Sequence, residues 1–156
     1  MANQTEVSKP LISTYAGMYD PKTNDKIGDI PYKMLPLKFR DYGTIIFAPG
    51  EITEWQSLTR PIPARFVSGH FYFTLGIHCK EYVYDPNLYF QGDEISLSVR
   101  SYTLGYDLFH PHRTVVWHEY TREGRVKHWD DFNDPAQNKI NTTWSKIDEI
   151  SKSRLR

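Results

Sequence analysis

Asn87-Leu88-Tyr89-Phe90-Gln91-Gly92-Asp93-Glu94-Ile95-Ser96, residues 87–96, runs an aromatic segment straight into the start of a helix. Asp93 and Glu94 fall in the first turn, where free backbone N–H groups and the macrodipole favour carboxylates. Ile95, Val99 and Tyr102 then recur at helical spacing, which predicts a helix over residues 93–104 with those residues on its buried stripe. Gly105 is placed to close it as a C-terminal cap.

Working outward, strands dominate. Tyr106 to Phe109 and Thr114 to Glu119 read as strands separated by a corner at Pro111. Upstream, Ala64 to Leu75 is a long aromatic and β-branched run interrupted by Gly69, and residues 60–63 punctuate the chain before it. Tyr32 to Phe39 and Thr44 to Ala48 form a hairpin about Asp41-Tyr42-Gly43. Asp20 to Pro31 reads as an exposed loop, Leu11 to Tyr15 as a short strand, and residues 1–10 as a polar, frayed start. Ile140, Trp144, Ile147 and Ile150 predict an amphipathic helix over about 138–153. The pattern is that of a strand-rich α/β chain.

The 156 residues fit one domain. Nineteen basic and nineteen acidic residues are interspersed with zero formal net charge, so there is no electrostatic footprint for nucleic acid or an anionic membrane. No apolar run is long enough to span a bilayer. The single cysteine, Cys79, cannot form an internal disulfide, which suits a reducing, cytoplasmic setting. Aromatic residues make up 15% of the chain and eleven of them are tyrosines, a composition that suits sugar stacking and equally a strand-rich core.

Several side chains carry candidate chemistry. The Gln91-Gly92-Asp93-Glu94 junction can hold sugar hydroxyls, because carboxylates accept charge-assisted hydrogen bonds while glycine leaves room for a ring. Helix capping alone also explains it. Gly69 admits close approach of a ligand to the backbone, or marks a bulge or a tight packing contact. His118, at the end of Thr-Val-Val-Trp-His, is a candidate metal ligand or a hydrogen-bonded core residue. His110 and His112 match no zinc spacing. Cys79, flanked by His78, reads as a buried small hydrophobe rather than a nucleophile. Neither a Gly-x-Ser-x-Gly elbow nor a standard glycine-rich phosphate loop is present.

Ala64-Arg65-Phe66-Val67-Ser68-Gly69-His70-Phe71-Tyr72-Phe73, the block from Tyr84 through Ser96, Gly105 to Pro111, and Val116 to Tyr120 together resemble the Skp1-type N-acetylglucosaminyltransferase family, whose members modify hydroxyproline. The resemblance spans residues 9–125, leaving 126–156 as a C-terminal helical extension. It implies part of a GT-A fold, a mixed sheet with flanking helices. The implied chemistry is retaining transfer of N-acetylglucosamine from a UDP-sugar donor to a hydroxyl-bearing protein or glycan. A divalent cation, manganese or magnesium, would accompany the diphosphate. Residue by residue, the resemblance makes Glu94 and Asp93 the catalytic carboxylates, places Gly69, His70, Gln91 and Gly92 around the donor sugar, and makes His118 a metal ligand.

The Asp-x-Asp or Asp-Ser-His motif that supplies the main metal ligands in such enzymes does not occur. The expectation is therefore an acceptor-side, C-terminal part of the catalytic domain, inactive by itself. The rival expectation is a non-catalytic carbohydrate-binding module that stacks Tyr72, Tyr89, Trp117 and Tyr120 on glycans.

Overall fold

A computed structural model of the protein describes residues 7–132, 134 and 142–155. In chain order its elements are β1 (Pro10–Ser13), β2 (Gly17–Asp20), β3 (Asp25–Ile27), β4 (Tyr32–Phe39), β5 (Ile45–Glu51), β6 (Ile62–Pro63), β7 (Tyr72–Thr74), α1 (His78–Glu81), α2 (Asp93–Thr103), β8 (Asp107–His110), β9 (Trp117–His118) and α3 (Trp144–Arg154). The architecture is α/β, strand-rich, with mixed sheets and few helices.

The central sheet has the order β6-β8-β1-β7, with β1 parallel to β8 and antiparallel to β7. Its register is fixed by burial. Leu11 and Leu108 are paired neighbours, and both point into a core with Val67, Tyr82, Leu97 and Tyr106. A one-residue slip would turn those side chains to the other face. A second sheet, β3-β2-β9, holds Trp117 against Gly17, where a Cβ would lie 2.9 Å from the indole. The β4–β5 hairpin closes through Gly43, whose φ of 88° suits glycine, and carries a register shift between Pro36 and Lys38.

The expected hairpin, the 93–104 helix and its glycine terminator are all present; Gly105 sits at φ 84° and its N–H bonds Tyr102 O. Five expectations need correction. The supposed loop from Asp20 to Pro31 contains β3, whose three residues are all exposed and so show no alternation. The run from Ala64 to Leu75 is strand only at Tyr72–Thr74, because residues 67–71 turn to meet α2. Of Thr114 to Glu119 only Trp117–His118 pairs. The fourth concerns α2: Val99 and Tyr102 are 51% and 72% exposed, and its buried face is Leu97, Ser98 and Ser101.

The last correction is to the C-terminal helix. α3 begins at Trp144, capped by the Thr143 hydroxyl, and residues 138–141 of the expected span lie outside the described residues. It buries Ser151, while Trp144 and Ile150 are exposed. Cys79 is also exposed, whereas its neighbour His78 turns inward to Ser101 and the Tyr106 ring.

Candidate functional site

The chain enters α2 through two left-handed residues, Phe90 at φ 56° and Gly92 at φ 98°. The first is unusual for a bulky side chain, and the second is where glycine is at ease. This reversal sets Asp93 and Glu94 on the first helical turn. Beneath it, a Cβ on Gly92 would lie 2.3 Å from Leu155, so both backbone and packing demand glycine there. The Ser151 hydroxyl of α3 accepts from Tyr89 N–H at 2.9 Å and lies 3.3 Å from the Gln91 carbonyl oxygen, fixing the junction from below.

The opposite wall is the turn from Val67 to Phe71. Ser98, one helical turn beyond Glu94, accepts the Val67 N–H at 2.7 Å and donates to Glu94 O at 2.6 Å. Glu94 Oε1 accepts the Gly69 N–H at 2.8 Å. Ser13 of β1 ties the same turn to the sheet, its hydroxyl accepting Ser68 N–H and donating to Phe71 O. Small hydroxyl side chains let the helix and the turn approach closely while every bond they form satisfies a buried polar group.

Between these walls lies a cavity of about 450 Å³ lined by Gly69, His70, Gln91, Gly92, Asp93 and Glu94. The six residues expected to serve as carboxylates and sugar contacts therefore share one space, although Gly69 and Glu94 are far apart in sequence. A Cβ on Gly69 would come no closer than 3.6 Å to Glu94, so the fold itself has room for a side chain there.

Burial raises the pKa of Glu94; the Gly69 N–H pulls it back and the charge of Asp93 raises it further. Asp93 is raised chiefly by burial, against a hydrogen bond from Tyr84 that lowers it. Its Oδ1 is buried with no hydrogen-bond partner, an acceptor the protein leaves unused. His70 is pushed down to about 4, mainly by burial and then by His118 and Arg122. It is accordingly neutral at physiological pH, with its ring centroid 4.7 Å from that of Tyr15 and its Nδ1 3.1 Å from the Ser68 hydroxyl.

His118 does not line this cavity but stands behind it. Its ring packs 5.4 Å from His70 and 4.8 Å from Tyr120. Among the described residues no three His, Cys, Asp or Glu side chains group to hold a metal ion. The described residues thus do not fit a divalent cation by themselves. His110 is committed elsewhere, its Nε2 accepting Met34 N–H and its Nδ1 donating to Ser13 O.

Arg122 and Tyr15 also line the cavity. Neither stood out in the sequence, because Arg122 begins the polar stretch after Tyr120 and Tyr15 ends an ordinary strand; the φ of 54° at Arg122 is visible only in the fold. The four aromatic residues of the binding-module expectation are divided. Trp117 packs on Gly17 under Lys26, Tyr120 donates to Ala16 O, Tyr89 lines a separate cavity, and Tyr72 stands exposed on β7.

The family model described as Glycosyltransferase (GlcNAc) matches residues 1–156. No curated protein and no solved structure matches the chain. Among the described residues, no helix is long and apolar enough to cross a membrane.

Proposed function

The chain belongs to the glycosyltransferase (GlcNAc) family, and from that premise we propose that it serves transfer of N-acetylglucosamine from UDP-N-acetylglucosamine to an acceptor hydroxyl. The observation that carries the reading is the shared cavity, in which Glu94 is held by Gly69 N–H beside the unused Asp93 oxygen.

In this transfer the C1–O bond to the diphosphate breaks and its electron pair leaves with UDP. The acceptor oxygen bonds C1, and the hydroxyl proton passes to a base or to the departing diphosphate. Glu94, which accepts the Gly69 N–H on one oxygen and is also drawn on by the Ser68 hydroxyl, lines the cavity with its remaining acceptor capacity for a sugar or acceptor hydroxyl, and its raised pKa favours proton exchange there. Asp93 accepts a second hydroxyl. Neutral His70 offers a flat ring beside the sugar, and Arg122 supplies a guanidinium suited to phosphate oxygens.

The proposed cation, manganese or magnesium, would draw one ligand from this chain, His118, and no step above runs through it. The proposal includes a partial GT-A fold, retention at the anomeric carbon, kinship with the hydroxyproline-directed type, and a cytoplasmic setting. It also includes that the chain supplies the acceptor side of the site and does not turn over alone. In support, β7 is an edge strand with Phe73 exposed, and Leu75 and Ile77 beside it are exposed too, a surface that another layer of sheet would cover.

The test is UDP release from UDP-N-acetylglucosamine with manganese, by this chain alone and with a nucleotide-binding half joined upstream. Release by the joined protein, lost in Glu94→Gln, supports the reading. If neither protein binds or hydrolyses any UDP-sugar, the glycosyl-transfer proposal fails for this chain.

A further inference from the structure

A second cavity, of about 430 Å³, lies on the other side of Phe90 and Gln91, which line both spaces. Tyr42, Tyr89, Trp129 and Trp144 give it aromatic walls, and the charged side chains of Arg40, Asp148 and Lys152 complete its lining. We propose that this cavity is an acceptor subsite for a neutral hexopyranose ring of a glycan, delivered across Phe90 and Gln91 to Glu94. The inference rests on the transferase reading, since it is the acceptor side of that same site.

The walls are built, not incidental. His128 stacks on Phe90 at 4.8 Å and 25°, the Tyr89 hydroxyl meets His128 Nδ1 at 2.8 Å, and Trp129 packs edge-on against His128. Tyr42 donates its hydroxyl to Gln91 Oε1, fixing the amide that faces both cavities. Phe90 is 56% exposed and holds a left-handed backbone, so a bulky ring is kept at the boundary in a conformation such residues rarely adopt.

The chemistry of the lining selects among ligands. Asp148 and Lys152 of α3 pair at 2.5 Å, and Lys152 also covers the Tyr42 ring, so one cation is already neutralised. What is left is flat apolar surface with an amide, a carboxylate and the Arg40 guanidinium at its edges. A pyranose has the matching form, with apolar C–H faces and a rim of hydroxyls. The Asp148–Lys152 pair carries no net charge, which leaves an anion the Arg40 guanidinium alone. An extended peptide would need a row of free backbone partners, and Tyr89 N–H is already given to Ser151.

The experiment is titration of intrinsic tryptophan fluorescence with cellobiose, lactose, maltose and N,N′-diacetylchitobiose, and separately with a hydroxyprolyl peptide. At least one disaccharide should give a saturable change in the millimolar range. Trp144→Ala and Asp148→Asn should each weaken it about three- to tenfold; Trp144→Phe, with an intact ring, should weaken it less and serves if the alanine variant does not fold. No saturable response to any of the four sugars, an unchanged response in folded Trp144→Ala and Asp148→Asn, or saturation by the peptide alone overturns the proposal. UDP release by the protein joined upstream to a nucleotide-binding half decides the transferase reading separately: sugar binding without that release sinks that reading only, and that release without sugar binding sinks this subsite only.

Discussion

The Gly69 N–H donates to Glu94 Oε1 at 2.8 Å, joining a turn and a helix that are 25 residues apart in sequence. The carboxylate is thereby held in a desolvated space by a backbone group that no side-chain substitution removes. Its raised pKa shows the direction of the resulting conflict: burial disfavours the charge that catalysis would use.

Glu94→Gln keeps an oxygen to accept the Gly69 N–H and removes the buried charge. A carboxylate with a raised folded pKa binds more protons folded than unfolded, so it costs stability above that pKa and the cost disappears at low pH. The variant should therefore unfold at the same or a higher temperature at pH 7, while UDP release by the protein joined to a nucleotide-binding half falls by about a hundredfold or more. A markedly lower melting temperature, with activity retained, would place Glu94 in the scaffold and not in the chemistry.

Gly69→Ala and Gly92→Ala should behave differently. Gly92 carries φ 98° and has Leu155 in the way of any Cβ, so alanine there should cost about 1–2 kcal/mol from the backbone alone. Gly69 has room on the protein side, so its alanine variant should fold normally and lose affinity for the UDP-sugar. Denaturant melts and donor titrations on both variants check the contrast.

Ser98→Ala should destabilise the fold by about 1–3 kcal/mol, because the Val67 N–H is left buried without an acceptor. Urea unfolding measures it. A loss below a few tenths of a kcal/mol would mean the turn at 67–71 finds another partner.

His70, held near 4 in the fold against 6.5 unfolded, stays neutral while the unfolded chain takes up a proton. Stability should fall as pH drops from about 6.5 toward 4, with His78 and His110, also depressed by burial, adding in the same direction. Asp93 and Glu94 oppose them. His70→Gln should flatten the profile relative to wild type, and parallel profiles from thermal melts between pH 7 and 4.5 would count against this account.

Arg122→Ala should raise the donor KM about ten- to a hundredfold with a smaller change in kcat, if its guanidinium meets the diphosphate. Steady-state UDP release by the protein joined to a nucleotide-binding half, at varied donor concentration, separates the two.

What the sequence disclosed and what it hid follow from the kind of force involved. The hairpin at residues 32–51 and the glycine stop at Gly105 are local, set by turn chemistry and backbone freedom, and they read directly. The buried face of α2 did not. Ser98 and Ser101 are inside because Val67 and His78 need hydrogen-bond partners, a reason that leaves no apolar periodicity to find. The junction residues Gln91 to Glu94 were visible as a local motif, and family resemblance alone joined them to Gly69 and His70. Arg122 and Trp129 were hidden in a polar stretch whose pattern says only that it is solvated, and the apolar spacing that marked α3 did not show that Ser151 and Leu155 brace the junction.

The Ser151 and Leu155 contacts tie the order of the 89–94 junction to α3, an eleven-residue helix too short to persist in water without packing. The junction therefore keeps its shape only while that helix stays docked, and the two should open together as one unit. Amide exchange at Tyr89 would then report the docking equilibrium of α3, and the frequency of that opening would set a ceiling on how long a bound sugar can be held.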